Sequence, residues 1–284
     1  MKAPKRKQYT TERINNLLYI CATPIGNAED ITLRALRILK ECDAVACEDT
    51  RHSAPLLIKY GINKPLISYH EHNEQSRSEQ LLARLEAGEN IVLVSDAGMP
   101  CISDPGYVIV QKARERNLPV TVLPGANAGL CALILSGFKC DRFVFEGFLP
   151  KSGRARKERI ELLKNEPRTV ILHESPHHLE KTLDELSAAL GGRKIAIARE
   201  ITKIHEECTV FPLNEWKENL PPIKGEFVLV LSENEVIEEK SNLPIKEQVE
   251  NLIKSGMSKK DAIKQVAKSA GVSKNEVYME VTDL

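Results

Sequence analysis

The sequence lacks several features that would assign a protein at once to a broad class. No run of about eighteen apolar residues occurs in the 284 residues, so no membrane-spanning helix is predicted. None of the seven cysteines forms a CxxC pair, which favours free thiols in a reducing compartment. The 40 basic and 40 acidic residues cancel, so any contact with nucleic acid has to come from a local patch.

Common nucleotide-binding motifs and a secretion signal are also missing. The chain contains no GxxxxGK[ST] motif, and no GxGxxG follows the first apolar run, which argues against P-loop and dinucleotide-binding proteins. The basic N-terminus is followed by only a short apolar run, from Leu17 to Ala22, which is unlike a secretion signal. We therefore expect a cytoplasmic protein with enough apolar residues for more than one core.

The apolar runs of the first half predict a parallel α/β sheet. LLYICAT, AVAC, PLISYH, IVLVS and VTVLP read as strands, and amphipathic stretches lie between them. Asp30 is predicted to cap a helix whose buried face carries Ile31, Ala35, Ile38 and Leu39. A second helix is expected from Arg77 to Leu85.

The remainder of the chain predicts a mixed sheet and a small helical unit. FVFEGF, TVILHE, KIAIARE, the segment around CTVFP and GEFVLVLS read as strands, with only two long helices among them, from Arg154 and Pro176. Two or three short helices are predicted after a polar, acidic stretch. We expect a basic tail (1–16), an N-terminal α/β domain (17–137), a second α/β domain (138–232), a linker (233–243) and a helical C-terminal unit (244–284).

Three loops follow strands of the first half and are rich in small residues. They are TPIGN after the first strand, SDAGMPCISDPG after the fourth and PGANA after the fifth. Ligands of open α/β sheets bind at the carboxyl ends of the strands, where glycine and alanine let a ligand approach the backbone. Proline and glycine also punctuate ordinary turns, but three such loops on one edge favour a ligand site.

Charged and histidine residues leave several alternatives open. Asp96 and Asp104 lie in one loop and are candidates for acid, base or cation-binding roles, although Asp104 equally suits a turn cap before Pro105. The histidines of HEH (70–72) and HESPHH (173–178) match no closed metal site, so we predict no metal. The basic run from Lys151 to Arg159 is either a solvated helix face or a phosphate contact.

The motifs together resemble a known family. LYICATPIGNAEDITLRALRILKECDAVACEDTR, SYHEHNE, LVSDAGMPCISDPGY, LPGANA, FEGFLP, HESPHHL, AREITK and KGEFVLVL are similar, in the same order, to ribosomal RNA small-subunit methyltransferase I proteins, a branch of the tetrapyrrole-methylase-like enzymes. The likeness runs from Leu17 to about Leu231 and extends to the helical C-terminal unit. Its TPIGN and SDAGMPCISDPG segments are its most specific parts.

The resemblance implies a fold, a cofactor and a substrate. We expect the two-domain class III methyltransferase fold with a small helical C-terminal extension, a homodimer, and S-adenosylmethionine between the domains. The implied activity is 2'-O-methylation of the cytidine at position 1402 of 16S rRNA in the small ribosomal subunit. The residues expected to bind S-adenosylmethionine are Pro24, Gly26, Ser95, Asp96, Ala97, Gly98, Ile102, Ser103, Gly125, Ala126, Asn127, Phe148 and Leu149, followed by Lys224, Gly225 and Glu226.

The catalytic and RNA-binding residues are predicted from their chemistry. A ribose hydroxyl has to lose its proton during methylation, and Asp96, Glu48, His70 and Asp49 are candidate acceptors. Arg51, Arg154, Arg156 and Lys157 are predicted to contact RNA phosphates. Three positions depart from the family's usual pattern, which has threonine at Met99, tyrosine at His173 and arginine at His178.

Two kinds of rival function are compatible with these motifs. One is a tetrapyrrole or diphthamide-pathway methyltransferase of the same fold. The other is a ribosome-assembly factor without catalytic activity. The EDTRH and HEHNE segments and the basic run favour RNA as the substrate.

Overall fold

The computed structural model describes residues 16–234 and 243–282. The chain divides into two compact units, Met1–Asn234 and Glu235–Leu284. The predicted basic tail lies almost entirely outside the described residues, as does most of the predicted linker. In the described part of the chain, no helix has both the length and the apolar character needed to cross a membrane.

Five parallel strands form the first sheet, in the order β3-β2-β4-β1-β5. They are β1 (Leu18–Cys21), β2 (Ala44–Cys47), β3 (Leu66–Ser68), β4 (Ile91–Val94) and β5 (Val120–Leu123). The helices that connect them are α1 (Leu33–Glu41), α2 (Thr50–Lys59), α3 (Glu74–Glu86) and α4 (Tyr107–Glu115). All five strands predicted for this half are confirmed.

The first sheet is a middle layer between helices. β2 and β4 are buried at every position, as expected for inner strands of a parallel sheet, which are covered on both faces. Helices α1 and α2 contribute Leu39 and Leu57 to the core on one face. Helices α3 and α4 contribute Leu82 and Ile109 to the core on the other face. The ends of the strands are therefore the part of the sheet left open to a ligand.

The start of α1 differs from the prediction. Thr32, not Asp30, caps the helix, because its side chain accepts a hydrogen bond from the backbone N–H of Ala35 at 3.1 Å. Asp30 ends a short 3-10 turn that precedes the helix, and Ile31 lies outside the helix. The predicted buried face is otherwise correct, since Ala35, Ile38 and Leu39 are buried together.

The second sheet is mixed, as the excess of strands over helices predicted. Its order is β6-β7-β10-β8-β9, and only β6 and β7 are parallel. The strands are β6 (Phe143–Phe148), β7 (Thr169–Glu174), β8 (Lys194–Arg199), β9 (Glu207–Pro212) and β10 (Phe227–Leu231). One face of this sheet carries the core shared with α6 (Gly153–Lys164), α7 (Leu179–Leu190) and the short α8 (Trp216–Asn219).

The opposite face of the second sheet is covered by a helix from the first half. This helix, α5 (Ala128–Ser136), packs Ala132 and Leu133 against Ile171, Ala196 and Val228 of the second sheet. Both sheets belong to the compact unit Met1–Asn234. The division into domains at 137–138 stays a prediction.

The C-terminal unit has three helices, where the sequence predicted two or three. They are α9 (Ile245–Lys254), α10 (Lys259–Ala270) and α11 (Lys274–Glu280), and they share an apolar core that includes Val249, Val266 and Val277. Ser258 caps α10, and Gly271 ends it in the left-handed conformation at φ 69°.

Candidate functional site

A cavity of about 330 Å³ lies where the loops of the first sheet face the second sheet. Its size falls at the lower end of the range of small-molecule sites, about 300–1,000 Å³. The first wall consists of Ile25, Ala97, Gly98, Met99, Ile102, Ser103, Asp104, Asn127 and Ala128. The second wall consists of Phe148, His173, Glu174, Ser175, Pro176, Glu226, Phe227 and Val228.

The loops that follow β1 and β4 are hydrogen-bonded to each other. Thr23 and Gly98 exchange two backbone hydrogen bonds of 2.9 and 3.1 Å. The Ser95 hydroxyl also donates to the Gly98 carbonyl at 3.1 Å. Gly98 has φ 84°, and a Cβ there would lie 3.2 Å from Ile25. A glycine is therefore needed to place the backbone of this loop in the wall of the cavity.

The second half of the β4 loop is tightly folded and strained. Cys101 and Ser103 have φ angles of 72° and 65°, which non-glycine residues seldom adopt. A Cβ on Gly106 would lie 2.6 Å from Cys101 Sγ and 2.9 Å from Leu93 Cδ2. Strain of this kind is typical of ligand and catalytic sites. In this loop it presents Ser103 and Asp104 to the cavity.

Aromatic and acidic side chains form much of the second wall. The ring of His173 packs edge-on against Phe145 and Phe148, with centroids 5.2 and 5.5 Å apart. Burial lowers the pKa of His173, so the imidazole is neutral near pH 7. Glu174 is buried and accepts hydrogen bonds from the Ser175 backbone N–H at 2.7 Å and from the Thr182 hydroxyl at 2.5 Å.

Six of the residues predicted to bind the cofactor line this cavity. They are Ala97, Gly98, Ile102, Ser103, Asn127 and Phe148. Glu226, from the additional set, also lines it. Sequence reasoning missed His173 and Glu174 as wall residues. Their signal was the HESPHH motif, which begins at the end of an apolar strand.

The other predicted cofactor residues do not line this cavity. A Cβ on Gly26 would meet Lys203 at 2.5 Å, and one on Gly125 would meet Ala22 at 2.8 Å, so these glycines allow close packing of the chain.

Ser95 holds the β4 loop, and Leu149 and Ala126 belong to the cores beside the second sheet. Pro24 and Asp96 are not in the wall, nor are Lys224 and Gly225.

All four candidate proton acceptors line a separate, polar pocket of about 410 Å³. This polar pocket is lined by Glu48, Asp49, Thr50, Arg51, Ser68, His70 and Asp96. Asp96 Oδ1 accepts the Asp49 N–H at 3.2 Å, and its Oδ2 lies 3.1 Å from His52 Nδ1. His70 Nε2 lies 3.1 Å from Asn73 Nδ2. Burial and the charge of Asp96 raise the pKa of Glu48.

Asp104 lies in the cavity itself and does not act as a turn cap. Its carboxylate has no hydrogen-bond or ion-pair partner among residues 16–234 and 243–282. Burial, with the charges of Glu48 and Asp96 added, raises the pKa of Asp104 to about 7. A carboxyl group with this pKa exchanges protons near neutral pH.

The basic run is divided between solvent and the interior. Arg154 is 91% exposed, and Lys157 is exposed as well. Arg156 is only 4% exposed, and its guanidinium donates to Glu185, to the Pro150 carbonyl and to the Thr182 hydroxyl. The prediction of an RNA contact for Arg156 is therefore wrong. The Thr182 hydroxyl in turn donates to Glu174, so Arg156 supports the second wall.

The fourth predicted RNA contact, Arg51, is at the surface. Its side chain is 87% exposed and forms a two-point ion pair with Asp49 at the mouth of the polar pocket. This pairing lowers the pKa of Asp49 to about 2. In the described ranges no three histidine, cysteine, aspartate or glutamate side chains are grouped so that they could hold a metal ion.

Comparisons with known proteins agree on the family. The Tetrapyrrole (Corrin/Porphyrin) Methylases match residues 17–217. A protein of Halalkalibacterium halodurans named ribosomal RNA small subunit methyltransferase I is 43% identical, covering 96% of this chain and 97% of its own. The Bacillus subtilis protein of the same name is 45% identical, covering 92% of each chain.

Solved structures share the fold at low sequence identity. A diphthine synthase superposes with a TM-score of 0.61 at 15% identity, over 76% of this chain and 89% of that one. A uroporphyrin-III C-methyltransferase from Thermus thermophilus in complex with S-adenosylhomocysteine gives a TM-score of 0.54 at 18% identity, over 76% of this chain and 96% of that one. This chain belongs to the tetrapyrrole methylase family and, within it, to the ribosomal RNA small subunit methyltransferase I proteins.

Proposed function

We propose that this protein uses S-adenosylmethionine to methylate the ribosomal RNA of the small subunit. The observation that carries the proposal is the identity of 43–45% over nearly the whole length of relatives with that name. The finer assignment is 2'-O-methylation of the cytidine at position 1402 of 16S rRNA, as the motifs imply. A role as a ribosome-assembly factor without catalysis is less well supported, because the donor loops are intact.

The cavity suits a positively charged methyl donor. Its lining includes Asp104, Glu174 and Glu226 and, among the described residues, no lysine or arginine. Opposite charges attract strongly in a partly buried site. S-adenosylmethionine supplies a methyl group on a positively charged sulfur, and this acidic lining complements that charge.

The walls also suit the rest of the donor. We propose that the backbone of Ala97 and Gly98 approaches it closely, while Ile102 and Phe148 enclose its flat, apolar part. Ser103 and Asn127 offer polar groups beside these apolar contacts. Holding donor and acceptor in line can supply about 7–11 kcal/mol of the barrier reduction, so positioning is the main task of this wall.

The ribosomal assignment is tested in cells that lack this gene. Primer extension at limiting nucleotide stops beside a 2'-O-methylated residue, and we expect that stop to disappear at the decoding-site cytidine of 16S rRNA. Re-expression of the wild-type protein should restore it. A stop pattern that is the same with and without the gene contradicts the assignment of this nucleotide.

We propose that Arg51, Arg154 and Lys157 contact RNA phosphates, because all three are exposed. Arg154→Glu with Lys157→Glu should weaken RNA binding and reduce the slope of log K against log salt by about 0.7–0.9 for each lost contact. Arg37→Glu, at an exposed arginine of α1 away from both pockets, is the control. Equal RNA affinity and slope for both variants would remove this surface from the proposal.

A homodimer is proposed from the surface of α5. Apart from Ser136 this helix contains only apolar residues and glycine, yet Ile134 is 75% exposed, and Leu130 and Leu135 are exposed as well. A patch of this kind marks a protein interface more often than a solvated surface. Ile134→Arg should lower the mass found by sedimentation from a dimer to a monomer, while Leu162→Arg, at an exposed leucine of α6, should leave it unchanged.

We also propose that the protein works in the cytoplasm, where ribosomal RNA is found. All seven cysteines are free in the structure, which fits a reducing compartment.

A further inference from the structure

We propose that Asp104 is the catalytic base, which takes the proton of the acceptor hydroxyl while the methyl group is transferred. The inference rests on the proposed methyltransferase function and adds the residue that completes its chemistry. Asp104 lines the same cavity as Gly98, Ile102 and Ser103, which we assign to the donor. The acceptor has to reach this cavity, because methyl transfer requires it to lie in line with the donor.

The hydrogen bonds of the nearby carboxylates separate Asp104 from its competitors. Both oxygens of Asp96 are engaged, one by the Asp49 N–H and the other by His52. Glu48 lines the polar pocket and not the cavity. Asp104 lines the cavity and has no partner in the described part of the chain. Its oxygens are therefore free to accept a proton from a substrate.

The backbone around Asp104 fixes its position. Ser103, the preceding residue, has φ 65°, and Gly106 has φ 143° and leaves no room for a Cβ beside Cys101 and Leu93. These conformations carry strain, and the surrounding contacts hold it. The position of a catalytic group on such a turn is set before the substrate binds. No further ordering of the group is then needed on binding.

The charges around Asp104 suit the role of a base at neutral pH. Glu48 faces it from the end of β2, and Asp96 faces it from the end of β4. Cys101 lies in the same loop, and His173, Glu174 and Glu226 line the opposite wall. Burial and the two carboxylates raise the pKa of Asp104 to about 7, whereas a bound cationic donor favours its ionised form.

The proposed step balances in atoms and charge. A lone pair of the acceptor oxygen forms the new bond to the methyl carbon, and the bond between that carbon and sulfur breaks. The electron pair of the broken bond stays on sulfur, which becomes neutral. The hydroxyl proton passes to Asp104 Oδ, and solvent later removes it. Glu48 and Asp96 act on this step only through their charges and are positioning residues.

The kinetic test compares three carboxylate variants of the full-length protein. Asp104→Asn should lower kcat by about 10²–10⁴-fold and raise the KM for S-adenosylmethionine by a much smaller factor, because Glu174 and Glu226 remain in the lining. The wild-type kcat/KM should rise with pH up to about 7, and Asp104→Asn should lose this rise. Asp104→Glu, which keeps the carboxylate, should restore part of the rate. Asp96→Asn and Glu48→Gln should retain the rise, displaced to lower pH, because each removes a negative charge near Asp104.

A binding test gives a second readout that does not depend on turnover. At pH 7, calorimetry in buffers of different ionisation enthalpy should show more proton release on binding S-adenosylmethionine than on binding S-adenosylhomocysteine, which lacks the positive sulfur. Asp104→Asn should abolish this difference while still binding both ligands. A full rate and an unchanged pH profile in Asp104→Asn overturn the role of Asp104 alone. If the wild-type protein binds neither ligand, the proposed function itself fails.

Discussion

The two walls of the cavity are constructed in different ways. The first wall consists of loops whose backbone conformation is set by small residues and by the paired hydrogen bonds between Thr23 and Gly98. The second wall consists of side chains near the ends of strands, such as Phe148 and His173, which pack against each other. The first wall therefore depends on the shape of the backbone, whereas the second depends on side chains that can be exchanged singly.

This contrast predicts how each wall responds to substitution. A change in the first wall moves the backbone of a whole loop, because its residues are joined by main-chain hydrogen bonds. A change in the second wall removes the contacts of one side chain. The backbone stays in place, because main-chain pairing holds β7 and β10 in register. The largest losses of donor binding are accordingly expected in the first wall.

Gly98→Val should cause the largest loss, with donor affinity reduced by about 100-fold or more. The added side chain would meet Ile25 at the Cβ, 3.2 Å away, and φ 84° is costly for a branched residue, by about 1–2 kcal/mol. Calorimetry with S-adenosylmethionine measures the affinity. Gly88→Val is a matched control, because Gly88 has φ 95° but open space around it.

The Gly88→Val control distinguishes backbone strain, which both variants introduce, from damage to the donor site, which only Gly98→Val causes. Both variants should lower the free energy of unfolding by comparable amounts, measured by urea titration. Only Gly98→Val should lose the donor. If Gly88→Val weakens donor binding as much as Gly98→Val does, the effect comes from global destabilisation and the first wall has no special role.

Phe148→Ala should weaken donor binding by about tenfold, because an aromatic contact contributes about 0.5–1.5 kcal/mol beyond the area it buries. Phe148 lines the cavity and packs against His173 at a centroid distance of 5.5 Å. Phe143→Ala, in the same strand but outside the cavity, should leave the affinity unchanged. A loss of 100-fold for Phe148→Ala would mean that the walls do not differ as we describe.

His173→Phe should have the smallest effect on donor affinity, within about threefold, because an aromatic ring is kept. Its clearer effect is on pH dependence. Burial lowers the pKa of His173 below its usual value of 6.5, so the unfolded chain binds the proton more readily than the folded one. Wild-type stability therefore decreases as pH falls below 6.5. Urea unfolding at pH 5.5 and 7.5 should show a smaller decrease for His173→Phe.

The sequence was informative where local geometry demands a particular residue type. The apolar runs identified all ten strands, and six predicted cofactor residues line the cavity. The cap of α1 was misplaced because Asp30 and Thr32 are both good capping residues, and the 3-10 turn before the helix selects the second. This selection depends on three-dimensional contacts and not on residue preference.

The burial of Arg156 could have been predicted from the spacing of apolar residues in the sequence. Arg156, Ile160 and Leu163 are spaced as one face of a helix, and all three are buried in α6. The prediction counted the basic residues of the run and overlooked this helical spacing. Phe227 had no such signal, since its place opposite Glu174 in the second wall depends on the antiparallel register of β7 and β10 across more than fifty residues of chain.

The position of α5 limits where the chain can be divided into two fragments. Asn127 lines the cavity and caps α5, while Ala132 and Leu133 of the same helix are embedded against the second sheet. A cut between residues 137 and 138 would place α5 in the N-terminal fragment. That fragment lacks the second sheet, which covers the apolar face of α5. A cut between β5 and α5 would instead keep each helix with its own sheet, which makes the segment 124–127 the natural junction for reassembly from two separately expressed pieces.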